Sequence, residues 1–235
     1  MRRVLITRPE PGSSKTASKV LEMGWTPLVL PLTRIEPLTD LPVIDPDDFA
    51  AIALTSPNSA RHLPAAFAVS LKELPAYAVG TATASTARSA GLNVVDESAG
   101  DAAGLCRVIA ERVAPGAKIL ILCGRVRRSV LEQGLRESGF EPLLVETYDT
   151  VRVRPSVEEV AAVLGNTPVD AVLLYSAVAA DELTNCVERV NGGEFFESAR
   201  FIGISSRIGA HLPAKWRERL AIAAEPNEEA MLSLL

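Results

Sequence analysis

The sequence predicts an α/β protein made of two similar doubly wound parallel sheets, and three observations predict it. Short apolar runs alternate with helical patterns along the whole chain, one long segment occurs twice, and a second set of segments repeats more loosely in the same order. Alternating strands and helices are the signature of βαβ units, whose strands lie parallel and are covered on both faces.

The strand candidates, each bounded by Gly, Pro, Ser or Thr, are Val4–Thr7, Leu28–Leu32, Ala51–Thr55, Ala76–Val79, Asn93–Val95, Lys118–Leu122, Leu143–Thr147, Ala171–Tyr175, Phe201–Ile204 and Ala221–Ala223. The stretch VLITRPEPGSSKTASKVLEMGWTPLVLPL from Val4 matches ILILCGRVRRSVLEQGLRESGFEPLLVET from Ile119. Val4 and Ile119, Gly24 and Gly139, and Pro27 and Pro142 stand at one offset. In each copy a strand feeds an amphipathic helix, Gly ends that helix, and a Pro two residues after an aromatic leads into the next strand.

The looser repeat pairs AIALTSPNSA from Ala51 with AVLLYSAVAA from Ala171, YAVGTATASTA from Tyr77 with FIGISSRIGA from Phe201, and VVDESAGDAAGL from Val94 with AIAAEPNEEAML from Ala221. The parts therefore run A, B, A′, B′. Joining A to B or A to B′ gives two doubly wound sheets either way. The most Pro- and charge-rich breaks, residues 33–48 and 149–156, fall where B and A′ would leave as one piece, which favours a central domain inserted into a split one. The expected boundaries are residues 1–34 with 155–235 for the split domain and 40–147 for the inserted one. Residues 35–39 and 148–154 would form a two-stranded linker.

Composition narrows the function. With 48% apolar and 23% charged residues the 235-residue chain folds, and a net charge of -5 gives no basic excess of the kind nucleic acid or an anionic membrane attracts. The apolar run at the N-terminus is too short for a signal peptide or a membrane span. Cys106, Cys123 and Cys186 are odd in number and lack CxxC spacing, so neither a disulfide framework nor a zinc site is expected and a reducing cytoplasm fits. His62 and His211 are isolated and read as structural. No turn carries a GxGxxG or GxxxxGK[ST] pattern, which argues against dinucleotide and P-loop sites.

Ligands of open parallel sheets bind beyond the carboxyl ends of the strands, where helix N-termini offer unpaired amides to anions. Those turns are small and hydroxyl-rich here: Thr7-Arg8-Pro9, Thr55-Ser56-Pro57-Asn58, Gly80-Thr81-Ala82-Thr83, Cys123-Gly124-Arg125, Tyr175-Ser176 and Gly203-Ile204-Ser205-Ser206. Each has a plain reading as a cap or tight turn. Together they suit a large polyanion. Arg125, Arg127 and Arg128 add guanidinium groups near an expected helix start; Arg127 reads as paired with Glu132, and Arg125 and Arg128 as carboxylate receptors.

These segments, LITRPE at Leu5–Glu10, LTSPNSA at Leu54–Ala60, AVGTATA at Ala78–Ala84, ILCGRVRR at Ile121–Arg128, TYDTV at Thr147–Val151, LYSAVAA at Leu174–Ala180 and FIGISS at Phe201–Ser206, resemble the uroporphyrinogen-III synthase family in joint order and spacing. The resemblance implies two flavodoxin-like α/β domains joined by a two-stranded linker, with an interdomain cleft that closes on the linear tetrapyrrole hydroxymethylbilane and its four acetates and four propionates. It implies no cofactor and no metal. It also implies loss of the terminal hydroxyl of ring A as water, attack by the substituted carbon of ring D on the resulting azafulvene, and a spiro intermediate that fragments and recloses with ring D inverted. Tyr148 matches the family tyrosine that would assist hydroxyl loss. Thr7, Arg8, Ser56, Asn58, Gly80, Thr81, Thr83, Gly124, Arg125, Arg128, Ser176 and Ser205 fall on turns expected to bind substrate, Ser56 and Thr83 foremost. The chain departs from the family where Ala177 replaces a Pro and where Ser205-Ser206 stands for Thr. The expected partner is the small-molecule substrate alone, for a monomer that leaves room for a transient contact with the preceding pathway enzyme. The competing readings are a non-catalytic two-lobed cytosolic anion binder, whose exported version the missing export signal argues against, and a regulator or fusion protein on the same fold, disfavoured because the chain ends at Leu235 with no methyltransferase or helix-turn-helix segment attached.

Overall fold

A computed structural model describes the whole chain, residues 1–235. In chain order it opens with β1 (Arg3–Ile6), α1 (Gly12–Glu22), β2 (Thr26–Val29) and β3 (Thr33–Pro37). Next come β4 (Ala51–Leu54), α2 (Pro57–Arg61), α3 (Ala65–Ser70), β5 (Pro75–Ala78), α4 (Thr81–Ser89), β6 (Asn93–Asp96) and α5 (Ala102–Arg112). The second copy of the repeated segment gives β7 (Lys118–Gly124), α6 (Val130–Glu137) and β8 (Glu141–Arg152). The chain closes with α7 (Val157–Leu164), β9 (Ala171–Leu174), α8 (Ala177–Arg189), β10 (Arg200–Gly203), α9 (Ala214–Arg217), β11 (Leu220–Ile222) and α10 (Glu228–Leu232).

Residues Met1–Arg34 and Val151–Leu235 form one compact unit, and Ile35–Thr150 form a second. In the first, the strands run β11-β10-β9-β1-β2, all parallel, with Leu5 opposite both Leu28 and Val172. The six-stranded sheet runs β3-β8-β7-β4-β5-β6, parallel from β8 to β6. Each sheet reverses its strand order once, between β1 and β9 in the first unit and between β4 and β7 in the second. Loops diverge at such a point and leave a crevice at the carboxyl ends.

Both faces of each sheet are covered, which is why the strands read as unbroken apolar runs. Leu5, Val172, Leu174 and Phe201 pack toward α7 and α8, whereas Val4, Ile6, Leu173 and Ile202 pack toward α1 and α10. Ile52, Leu54, Leu120 and Leu122 share a core with α4, and Ala51, Ala53, Ile119 and Ile121 share one with α5 and α6. The period of two along every strand sorts side chains between these layers.

The duplicated segment is duplicated in detail. After α1, Gly24 donates to the Leu21 carbonyl and Trp25 to that of Val20, both at 3.0 Å; after α6, Gly139 donates to Arg136 and Phe140 to Leu135, at 3.0 and 2.9 Å. The glycines have φ of 81° and 83°. This double bond pattern needs a left-handed residue at the turn, where only Gly is unstrained.

The structure departs from the sequence reading in the bounds of elements. A strand beside β8 occupies 33–37, where a linker strand was expected over 35–39, and the strand expected to end at Thr147 continues as β8 from Glu141 to Arg152, through the expected linker segment. The β-branched residues Thr147, Thr150 and Val151 favour extended backbone, and Leu38 N–H to the Thr147 carbonyl continues the ladder at 3.0 Å. In the other direction, Arg125–Arg128 do not lead straight into a helix. β7 runs through Gly124 and α6 begins only at Val130, because Arg127 bonds back to the Gly124 and Arg125 carbonyls at 3.4 and 3.3 Å and holds the segment as a loop.

Candidate functional site

Parallel strands place every strand-to-helix turn of a unit at one end of its sheet, so the hydroxyl-rich turns of the sequence fall at the two crevices. In the second unit the crevice is built from the ends of β4 and β7 with β8 alongside. Ser56 caps α2, its Oγ accepting from Asn58 N–H at 3.2 Å. The Tyr148 hydroxyl lies 3.3 Å from the same Oγ and donates to it. Tyr148 is 8% exposed. A Cβ built on Gly124 would come within 2.6 Å of Tyr148 Cζ and 2.9 Å of its hydroxyl, so the ring rests on bare backbone. The His62 ring is tilted relative to the Tyr148 ring, with centroids 6.3 Å apart.

Burial raises the Tyr148 pKa, partly countered by the Ser56 hydrogen bond, so the phenol stays protonated through the neutral range. Cys123, one residue before Gly124, is pushed up to about 11 by burial and is an inert thiol. Burial and the Arg61 charge lower the His62 pKa, which keeps that ring neutral.

Arg125 pairs with Glu146 at 3.1 Å and Asp149 at 3.3 Å, and Arg127 pairs with Glu132 at 2.8 Å and Glu146 at 2.7 Å. Burial raises the Glu146 pKa, yet the bonds from Arg125 and Arg127 outweigh it and keep the carboxyl ionised. Arg127 is thus structural, and Arg125 is already engaged by two carboxylates. Arg128 is exposed at the loop. The next strand over, β5, leads through Gly80 into α4, whose N-terminus has no side-chain cap. Thr81 there is exposed, whereas Thr83 is only 3% exposed and packs inward. Asn58 binds Arg61 through its side chain.

In the first unit the crevice lies between the ends of β1 and β9. Thr7 is fully buried and its hydroxyl donates to the Leu173 carbonyl at 2.8 Å, stitching β1 to β9. In this structure the Thr7 side chain is therefore engaged between strands and has no exposed surface, and Thr83 in α4 keeps only 3% of its own. Arg8, by contrast, sits partly open with its guanidinium 4.3 Å from the centre of the Tyr175 ring, a cation–π contact, and 2.9 Å from Glu228. Thr16 and Lys19 from α1 also bond Glu228, and the Tyr175 hydroxyl approaches it at 3.4 Å. Burial alone would raise the Glu228 pKa, but these bonds and the Arg8 and Lys19 charges lower it. Ser176 caps α8 by accepting from Ala179 N–H at 3.1 Å. Ser205 is half-buried and precedes a short 3-10 helix at Ser206–His211 without a capping bond from its side chain.

The structure therefore brings Ser56, Gly124 and Tyr148 into one group, and Arg8 into another whose remaining members, Thr16, Lys19, Tyr175 and Glu228, the sequence reading missed. Only the position of Tyr175, just before the Ser176 cap, pointed toward that second group. Nothing local links Arg8 to Glu228, which lies 220 residues on.

No helix is long and apolar enough to cross a membrane. Comparisons with known proteins bear on the reaction. A curated uroporphyrinogen-III synthase of Chlorobaculum parvum is 26% identical over 206 residues, 80% of this chain and 84% of that protein. The crystal structure of uroporphyrinogen-III synthetase from Helicobacter pylori covers 100% of this chain and 98% of its own, with a TM-score of 0.67 at 19% identity. A mutant uroporphyrinogen III synthase from Thermus thermophilus covers 99% and 96%, with a TM-score of 0.56 at 17% identity. Both structures share the two-domain α/β fold with parallel sheets. The family model described as uroporphyrinogen-III synthase HemD matches residues 14–233, nearly the entire chain, and the chain accordingly belongs to the uroporphyrinogen-III synthase family.

Proposed function

We propose that this chain converts hydroxymethylbilane to uroporphyrinogen III, with Tyr148 as the acid that assists loss of the terminal hydroxyl, in tetrapyrrole biosynthesis in the cytoplasm. Family membership supports the reaction. The observation that carries the assignment of the acid is the Tyr148 phenol, kept protonated by burial and fixed between Gly124 and Ser56 at the point where the second sheet reverses its order.

The phenol donates to the ring A hydroxyl, which departs as water with the C–O electron pair while the pyrrole nitrogen pushes its lone pair to form the azafulvene. Ring D attacks through its substituted carbon. Fragmentation and reclosure of the spiro intermediate invert ring D, and the proton lost as the last pyrrole regains aromaticity restores the phenol. Donors suited to the substrate's carboxylates stand on the strand-end turns of each unit: the α4 amides beyond Gly80 with exposed Thr81 and Arg128 and partly exposed Asn58 in the second, and partly exposed Arg8, Ser176 and Ser205 in the first. Arg125 contributes by exchanging Glu146 or Asp149 for substrate. The bilane cyclises unaided to the symmetric I isomer, so selectivity is a matter of differential stabilisation. A hundredfold preference for the III isomer needs only about 2.7 kcal/mol, within reach of a few oriented hydrogen bonds.

Incubation with freshly generated hydroxymethylbilane, then oxidation and separation of isomers, tests the reaction. The III isomer should dominate. Exclusive appearance of the I isomer would remove the catalytic reading and leave a two-lobed anion binder. Tyr148→Phe should fold normally and lose turnover; undiminished turnover would transfer the acid role to water or to the substrate's own carboxylates.

A further inference from the structure

Ser56 reads from the sequence as a substrate donor, yet its oxygen is already surrounded. Its Oγ accepts from Asn58 N–H at 3.2 Å and from the Tyr148 hydroxyl at 3.3 Å. A serine hydroxyl has two acceptor sites and one hydrogen, so in this state both acceptor sites are filled and only the hydrogen is left. The Tyr148 ring lies against the bare backbone of Gly124, where a Cβ would meet its Cζ, Cε2 and hydroxyl at 2.6, 2.8 and 2.9 Å.

We propose that Ser56 is a positioning residue that aims and supports the Tyr148 phenol, and not a ligand of the substrate's carboxylates. The inference rests on Tyr148 being the acid. Before substrate binds, Tyr148 donates to Ser56. When the leaving hydroxyl takes the phenol hydrogen, Ser56 rotates its own hydrogen onto the phenol oxygen and stabilises the charge developing there. Asn58 N–H remains on Ser56 throughout and fixes the oxygen about which that hydrogen turns. No atom is gained or lost: one proton passes from the phenol to the departing water, and the serine proton stays on serine. At 3.3 Å the resting bond is long for two hydroxyls, as expected of a contact that tightens only once charge builds on the phenol oxygen.

The test uses the full-length protein and three replacements at one position. Ser56→Thr keeps both the cap and the hydrogen and should retain kcat within about twofold. Ser56→Asp keeps the cap and the acceptor but has no hydrogen to give, and it should fold while losing kcat. Ser56→Ala loses both. A hydrogen bond to a charged oxygen sets the expected fall in kcat at about ten- to a hundredfold for Asp and Ala, with KM little changed. The phenol titration read from ultraviolet absorbance, with Tyr148→Phe as the blank, should move to higher pH in both. The decisive arm is the double variant Ser56→Ala with Tyr148→Phe, which should be no slower than Tyr148→Phe alone, because a residue acting through another contributes nothing once that other is gone. A double variant slower by a further factor of ten, a raised KM with intact kcat in Ser56→Ala, or undiminished turnover in Ser56→Asp would each overturn the proposal. Full activity of Tyr148→Phe is a separate result: it removes the acid itself and is read without any Ser56 variant.

Discussion

Gly124 lies against the ring of Tyr148 so closely that the smallest side chain would overlap it, 2.6 Å from Cζ. Gly124 is buried at the last position of β7, and Tyr148 stands beside it on β8 where the register between the strands shifts. The absent side chain is what lets the phenol lie at the strand tip with its hydroxyl turned to Ser56.

Gly124→Ala should therefore displace the ring without unfolding the protein. Overpacking of this kind costs about 1–3 kcal/mol. Turnover should drop at least tenfold, and the ultraviolet titration of Tyr148 should change. Normal kcat with unchanged melting would show that the ring has room the geometry denies it.

The Tyr148 acid must carry its proton to work, and its pKa is raised. A raised phenol pKa moves the loss of the working form to higher pH, so kcat should hold across the neutral and mildly alkaline range. It should decline only beyond the ordinary phenol range of about pH 10. A rate profile that falls between pH 7 and 8 in about the manner of a histidine would point to a different acid.

Glu228 gathers Arg8, Lys19, Thr16 and Tyr175 around one carboxylate. Its lowered pKa means that its contribution to stability is present above the unfolded carboxyl value of about 4.3 and disappears as pH falls through the folded value. Glu228→Gln should cost about 1–2 kcal/mol at pH 7, between the ranges for exposed and buried pairs. Urea melts at pH 7 and at about pH 3 provide the check. The gap between wild type and variant should narrow on acidification, and a gap that stays constant would deny the carboxylate its part.

Glu182 is 1% exposed and meets Arg152 at 2.7 Å, with Arg154 farther away at 3.8 Å. Removing the cation strands a buried anion, so Arg152→Ala should cost about 3 kcal/mol. Glu182→Gln should cost less, since Arg152 keeps access to water and to Asp181 at 3.4 Å. Thermal melts of the two variants in the reverse order would contradict this account.

The fold was legible where local chemistry decides it. Strands buried on both faces leave apolar runs, Gly24 and Gly139 mark helix ends by a backbone shape other residues avoid, and Ser56 and Ser176 sit where caps belong. A two-stranded linker was legible at 35–39 and 148–154, but Arg34, Glu36, Asp149 and Arg152 interrupt the apolar pattern and hid that β8 runs unbroken from the sheet into it. The site was legible only in part. Turn chemistry located Ser56, Gly124 and Arg8, and family resemblance located Tyr148. Which hydroxyls face inward, as Thr7 and Thr83 do, and which carboxylates claim Arg125 and Arg8 depend on tertiary approach between residues far apart in sequence.

The pairing of Leu5 with Val172 also bears on how the chain is made. A polypeptide leaving the ribosome delivers β1 and β2 first, yet β1 must wait for more than half of the protein to emerge before β9 can join it. Through that interval its unpaired backbone offers a template to other chains, whereas Ile35–Thr150 is a contiguous stretch that can settle as soon as it is out. Nascent chains halted far enough beyond Thr150 for that residue to have cleared the ribosome, but before β9 has, should already resist protease across the middle segment and remain cleavable near Arg3 and Lys19. Uniform cleavage along such chains would argue that the whole protein folds only once synthesis is complete.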